Sequence, residues 1–177
     1  MTNQNQYSFA LWSLLIMIIL YSSQALAQNP ECKCCTPQHG QFDFWIGEWI
    51  VHDTLGNEVG ENSIQKVEGN CLISENWKGS SGSTGRSFNY YDPADSTWNQ
   101  LWVSSSGNIL KLKGNLENGK MILESDFTTD AKGRTFKNRI TWYPMEEARK
   151  VTQIWEIVNE EDETVAVSFH GIYSRKK

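Results

Sequence analysis

From Gly47 to the C-terminus the chain alternates apolar and polar residues with a period of two, and no window carries the repeat of an amphipathic helix. Strands must therefore build the core, and short breaks rich in Gly, Asn, Asp and Pro must reverse the chain. Reading between those breaks predicts ten strands, near 48–53, 59–67, 71–78, 86–91, 98–104, 109–116, 120–126, 135–143, 150–158 and 164–174. The breaks have suitable turn chemistry: Leu55-Gly56-Asn57, Glu68-Gly69-Asn70, Asp92-Pro93, Ser106-Gly107-Asn108, Asn118-Gly119 and Asp130 to Gly133. Asn118-Gly119 is the strongest hairpin signal, because both central positions of that turn favour φ > 0. Gly79 to Gly85 (GSSGSTG) is longer and reads as a rim loop. Ten consecutive strands joined by tight turns predict an all-β domain, a single antiparallel up-and-down barrel that leaves no edge exposed. A two-sheet sandwich satisfies the same periodicity and stands as the alternative.

The N-terminus reads differently. Residues 1–27 hold no Lys, Arg, Asp or Glu, and Phe9 to Tyr21 is a nearly continuous apolar run ending before Ala25-Leu26-Ala27. The run is shorter than the ~20 residues that span a bilayer, and the small-x-small triplet suits signal peptidase. We expect a signal peptide over 1–27, with an uncleaved anchor as the alternative because no basic residue stands near Met1. A Cys-containing segment (28–40) and the barrel domain (41–177) then make about 150 residues, enough for one core. All 37 charged residues lie in that part, and the net charge of −5 argues against nucleic acid or an anionic membrane as partner. The expected location is secreted or periplasmic, with no membrane insertion after cleavage and a small molecule as partner.

The faces of the strands are more informative than their number. One face of 98–104 carries Trp98, Gln100 and Trp102; one face of 135–143 carries Phe136, Asn138, Ile140 and Trp142. Val151, Gln153, Trp155 and Ile157 share a face of 150–158, and Glu75 and Trp77 share a face of 71–78. The more apolar face should point inward, yet each includes an amide or a carboxylate. An unpaired buried polar group costs about 1–3 kcal/mol, whereas a ligand cavity uses this mixture of aromatic walls and a few polar groups. The expected ligand-binding residues are Glu75, Trp77, Gln100, Trp102, Asn138, Trp142, Gln153 and Trp155. The competing reading is a filled core in which the amides bond one another, in a structural or interaction module.

Four cysteines, Cys32, Cys34, Cys35 and Cys71, in an exported chain predict disulfide chemistry. A bond from the 32–35 cluster to Cys71 would pin the N-terminal segment across a barrel end and contribute about 3–4 kcal/mol. Spacing does not fix which cysteine pairs; Cys35, nearest the barrel, is the expected partner, leaving two to pair locally or with another chain. A thiolate metal site with His39 is the competing reading, but Cys-x-Cys-Cys departs from the spaced pairs of structural zinc, so no metal is assigned. No catalytic residue is assigned either: the chain has no Gly-x-Ser-x-Gly elbow and no phosphate-cradling loop before a helix. Glu75 is the best candidate for acid–base work, since an aromatic surround raises a carboxyl pKa. The favoured reading is nonetheless a buried acceptor paired with Arg86 or Arg139, since structural ion pairs also perturb carboxylates.

Gly47-Glu48-Trp49 at the head of the first strand has the Gly-x-Trp spacing of the lipocalins, in which the Trp closes the barrel base under an Arg from near the last strand. That resemblance implies that Phe42, Phe44, Trp45, Gly47 and Trp49 form a plug, with Arg175 over Trp49 through cation–π contact. A longer set runs from a Cys before Phe42-Asp43-Phe44-Trp45-Ile46-Gly47-Glu48-Trp49 through Gly69-Asn70-Cys71, Glu75-Asn76-Trp77, Gly85 to Asp92 and Trp98-Asn99-Gln100-Leu101-Trp102-Val103 to the closing Phe169 to Arg175. It resembles a family of secreted bacterial lipocalin-like (calycin-like) proteins of unknown function, which implies the barrel, closed at one end by a short helical turn. Haem-binding ten-stranded barrels of the nitrobindin kind are also similar and use a late His as iron ligand. His170 is the position that would serve, so haem stands as the alternative to no cofactor.

Overall fold

The computed structural model describes residues 32–145 and 149–177, so the expected leader lies outside the described residues. Eleven strands follow two short 3₁₀ turns, Gln38–Gly40 and Asp43–Trp45. They are β1 (Gly47–His52), β2 (Glu58–Val67), β3 (Leu72–Gly79), β4 (Thr84–Asp92), β5 (Thr97–Ser104), β6 (Ile109–Glu117), β7 (Lys120–Glu124), β8 (Thr128–Thr129), β9 (Thr135–Met145), β10 (Lys150–Val158) and β11 (Thr164–Arg175). Consecutive strands pair antiparallel from β1 to β7, β7 pairs with β9, and β9, β10 and β11 continue the meander. β11 then pairs with β1, Trp49 standing opposite Arg175, and the ten-stranded barrel is closed. Closure rules out the sandwich, because every long strand has two neighbours in one sheet.

Ten strands stand where alternation places them. The eleventh, β8, adds two residues against Thr135 and Phe136 about the Asp130–Gly133 turn. It escapes a periodicity reading because two paired residues carry no pattern. Asn118 and Gly119 both have positive φ (49° and 80°), as the hairpin turn requires.

The N-terminal segment caps the end of the barrel at which β2 hands over to β3. Phe42 and Trp45 are fully buried, Trp49 is 1% exposed, and Phe44 packs against them. Phe42 stacks on Trp45 with ring centroids 5.0 Å apart and meets Trp98 and Trp142 edge-on. The Trp49 indole N–H donates to the Trp45 carbonyl (2.8 Å), which fixes the chain's entry into β1. Arg175 lies over the Trp49 ring at 4.0 Å and donates to the Ile46 carbonyl at 2.6 Å. Gly47 makes room for it: φ is +145°, and a Cβ there would stand 1.5 Å from Arg175 Nη1.

The disulfides correct one expectation. Cys34, not Cys35, bonds Cys71, and Cys35 bonds Cys32. Cys34 is the buried member of the cluster, its Cα 4.9 Å from that of Cys71, while Cys32 and Cys35 face each other across a single turn closed by Cys35 N–H donating to Cys32 O. Nearness along the chain misled because the turn directs Cys35 back toward Cys32. With all four cysteines bonded, the thiolate metal reading has no thiolates left; the His39 ring bonds Thr36 Oγ1 at 2.8 Å. Among the described residues no group of three or more His, Cys, Asp or Glu side chains is gathered at one point.

Candidate functional site

Away from the plug, the barrel holds a cavity of about 250 Å³. It is lined from β3 by Glu75 and Trp77, from β5 by Gln100 and Trp102, from β10 by Gln153 and Trp155, and from β11 by Ser168, Phe169 and Tyr173. Leu110, Ile140 and Ser83 complete the wall. On three strands the same device repeats. A polar residue and a Trp two positions on share the inward face, and each Trp stands nearer the end opposite the plug. Glu75, Gln100 and Gln153 are buried (5%, 4% and 8% exposed) beside Tyr173, while Trp77, Trp102 and Trp155 are half-buried above them. Trp102 meets Trp155 edge-on at 6.0 Å, and Trp77 meets Phe169 edge-on at 5.9 Å.

Glycines seat these rings, from the neighbouring strand for Trp77 and Trp102 and from the same strand for Phe169. A Cβ on Gly60 would stand 2.6 Å from the Trp77 ring, one on Gly85 2.8 Å from Trp102 Nε1, and one on Gly171 2.5 Å from the Phe169 ring. Ring against backbone keeps each aromatic flat on the wall and leaves the space between them open.

Six of the eight residues expected to bind ligand line this cavity; Asn138 and Trp142 do not. Asn138 accepts the Trp155 indole N–H at 2.8 Å, and its own amide N–H donates to Ser125 Oγ, so it positions Trp155. Trp142, fully buried, turns its ring toward Phe42 and Trp45 and belongs to the plug. His170 lies between Phe169, which lines the cavity, and Gly171, and is absent from the lining. Strand alternation puts it on the face opposite Phe169 and Gly171.

Polar partners of Glu75 come from residues that sequence reasoning passed over. Gln100 Nε2 donates to Asn89 Oδ1 (2.7 Å), Asn89 Nδ2 to Ser87 Oγ (2.9 Å), and Ser87 Oγ to Glu75 Oε2 (2.6 Å). From the other side Asn62 Nδ2 donates to Glu75 Oε1 at 2.7 Å. Ser87 and Asn89 alternate on β4, and Asn62 occupies the inward face of β2 between Gly60 and Ile64; polar residues at inward positions were the available signal. The expected arginines take no part. Arg86 is exposed, and Arg139 pairs with Glu124 and Asp162 on the outer wall. Tyr173 donates to Gln153 Oε1.

Burial pushes the Glu75 carboxyl above the usual range, against the hydrogen bonds from Ser87 and Asn62 that favour its ionised form. Burial, then the neighbouring Glu75 charge, raise the Tyr173 phenol well above its ordinary value, with the Asn62 side chain opposing. The raised Glu75 pKa has a stability consequence. The folded state holds that proton more tightly than the unfolded chain, so the contribution is present at low pH and is lost as pH rises through the folded-state pKa. Glu75→Gln is therefore expected to raise the melting temperature at pH 8 and leave it nearly unchanged at pH 4. Each kcal/mol gained corresponds to about 2–4 °C for a chain of this size. Thermal melts of both proteins across pH 4–8 check this; equal shifts at both ends would refute it.

Fold and cavity together define a closed ten-stranded antiparallel barrel with a plugged end and an aromatic-walled pocket, an architecture compatible with ligand binding. Neither protein-family models nor curated protein sequences contain a match to the chain.

Proposed function

We propose that the protein is an extracytoplasmic barrel that binds a small, mostly apolar molecule in this cavity, within the secreted lipocalin-like family its motifs resemble. The observation that carries the reading is the repeated pairing of a buried polar residue with a Trp two positions on, three times around one cavity of about 250 Å³. Apolar walls with a few convergent polar groups are what small-molecule sites use. All three polar residues line the cavity, and Gln100 is held by Asn89 from behind. Export is supported by two disulfides, which persist in oxidising compartments, together with the uncharged apolar run from Phe9 to Tyr21.

Native mass spectrometry of protein purified from its own host, with thiols counted on the same sample, tests both parts. It should show a retained small molecule and no free thiol. Titrating that molecule should quench Trp fluorescence, and Trp102→Ala should weaken binding about tenfold or more through lost ring contact. Unchanged affinity in Trp102→Ala would place the ligand elsewhere.

A further inference from the structure

The charges around the cavity say more about its occupant. Of the twelve lining residues Glu75 is the single acid, and none is Lys, Arg or His. A buried carboxylate is ordinarily matched by a cation, and Glu75 is matched by neutral donors alone. Those donors run one way: Gln100 to Asn89 to Ser87 to Glu75, with Asn62 donating from the opposite side. Such a chain supports a negative charge on Glu75 without cancelling it. On the outer wall of β9, Lys137 and Arg139 are both committed to Glu124 and Asp162.

The walls have the complementary chemistry. Trp77 and Phe169 meet at an interplanar angle of 80°, Trp102 and Trp155 at 72°. Rings set nearly at right angles around one space offer π faces on several sides, the arrangement that attracts a cation within about 6 Å of a ring centroid. Trp155 is locked in place by Asn138, and the glycine seats hold Trp77, Trp102 and Phe169.

We propose that the occupant carries an alkylammonium head group, its charge facing Glu75 and its alkyl groups enclosed by Trp77, Trp102, Trp155 and Phe169. This rests on the cavity being a binding site and names the ligand class. Carboxylates and phosphates are rejected by the same arrangement, since no lining group would balance a second negative charge.

The assignment predicts a pH dependence. Strands packed against β3 present Asn62 and Ile64 from β2 and Ser87 and Asn89 from β4 to Glu75, and β11 presents Tyr173 across the interior. Tyr173 is the one other titratable group among them, and its phenol stays protonated through the neutral range. A bound cation favours the ionised carboxyl, so its affinity rises with pH until Glu75 is ionised in the free protein. In Glu75→Gln the profile is flat.

Three probes that differ in the head group decide the matter: hexyltrimethylammonium, hexan-1-ol and hexanoate, each titrated calorimetrically into the protein and into Glu75→Gln at pH 5 and pH 8. The cation is expected to bind about tenfold or more tightly than the alcohol at pH 8, with hexanoate weakest. Glu75→Gln should lose that preference. Hexanol or hexanoate binding as tightly as the cation to the unaltered protein overturns the cationic assignment and leaves an apolar site standing. Failure of all three to bind overturns the binding reading and this one with it. The comparison on unaltered protein decides the case without relying on the variant.

Discussion

Trp45→Ala is expected to lower stability by about 3–5 kcal/mol, the cost of deleting a large buried aromatic side chain. For a domain of this size that is roughly 6–20 °C in melting temperature. Trp45 has no exposed surface, stacks on Phe42 and packs against Trp142 and Tyr173, so the void cannot be filled by any one neighbour. The loss should reach the cavity, since Tyr173 both touches Trp45 and lines the pocket. Trp45→Phe should cost much less. It keeps a ring against Phe42 and removes an indole N–H that is buried without an acceptor. Chemical denaturation of the three proteins checks the order. If Trp45→Ala abolished ligand binding with little loss of stability, the aromatic turn would be a site and not a plug.

Replacing Cys34 and Cys71 together by serine is expected to cost about 3–4 kcal/mol, and replacing Cys32 and Cys35 distinctly less. The bond from Cys34 to Cys71 spans 37 residues, including the whole plug, β1 and β2. Its removal releases the unfolded chain across that span. The bond between Cys32 and Cys35 spans three and restricts one turn. In the folded protein the longer bond also ties the segment before the plug to the start of β3, beside the Lys66 ammonium that donates to His39 O and Asp43 at 3.1 and 2.7 Å. Melting each double variant, and the parent with and without reductant, separates the contributions. Equal losses from the two pairs would show that chain entropy across the longer span is not the main effect.

The same architecture ties stability to function at Glu75. Asn62, Ser87 and Asn89 are buried on the inward faces of β2 and β4, where a purely structural barrel would place aliphatic residues. They converge on one carboxyl whose ionised form is costly to hold above its raised pKa. A gain in stability on Glu75→Gln together with a lost preference for cations would tie that cost to recognition.

Much of this was legible in the chain. Period-two alternation and turn residues act locally, so ten strands, the Asn118-Gly119 hairpin and the inward faces with Glu75, Gln100 and Gln153 followed from the sequence alone. Face membership says nothing of which end of the barrel a long side chain reaches. Trp142 stands beside Gln153 in the β9–β10 register, yet its ring joins Phe42 and Trp45 while Gln153 opens on the cavity. Which cysteine meets Cys71, which partners surround Glu75, and which tryptophans wall a pocket depend on strand stagger and on contacts between residues distant in sequence. Those were decided by the tertiary structure, because alternation sets the side of a strand and only closure of the barrel sets the depth.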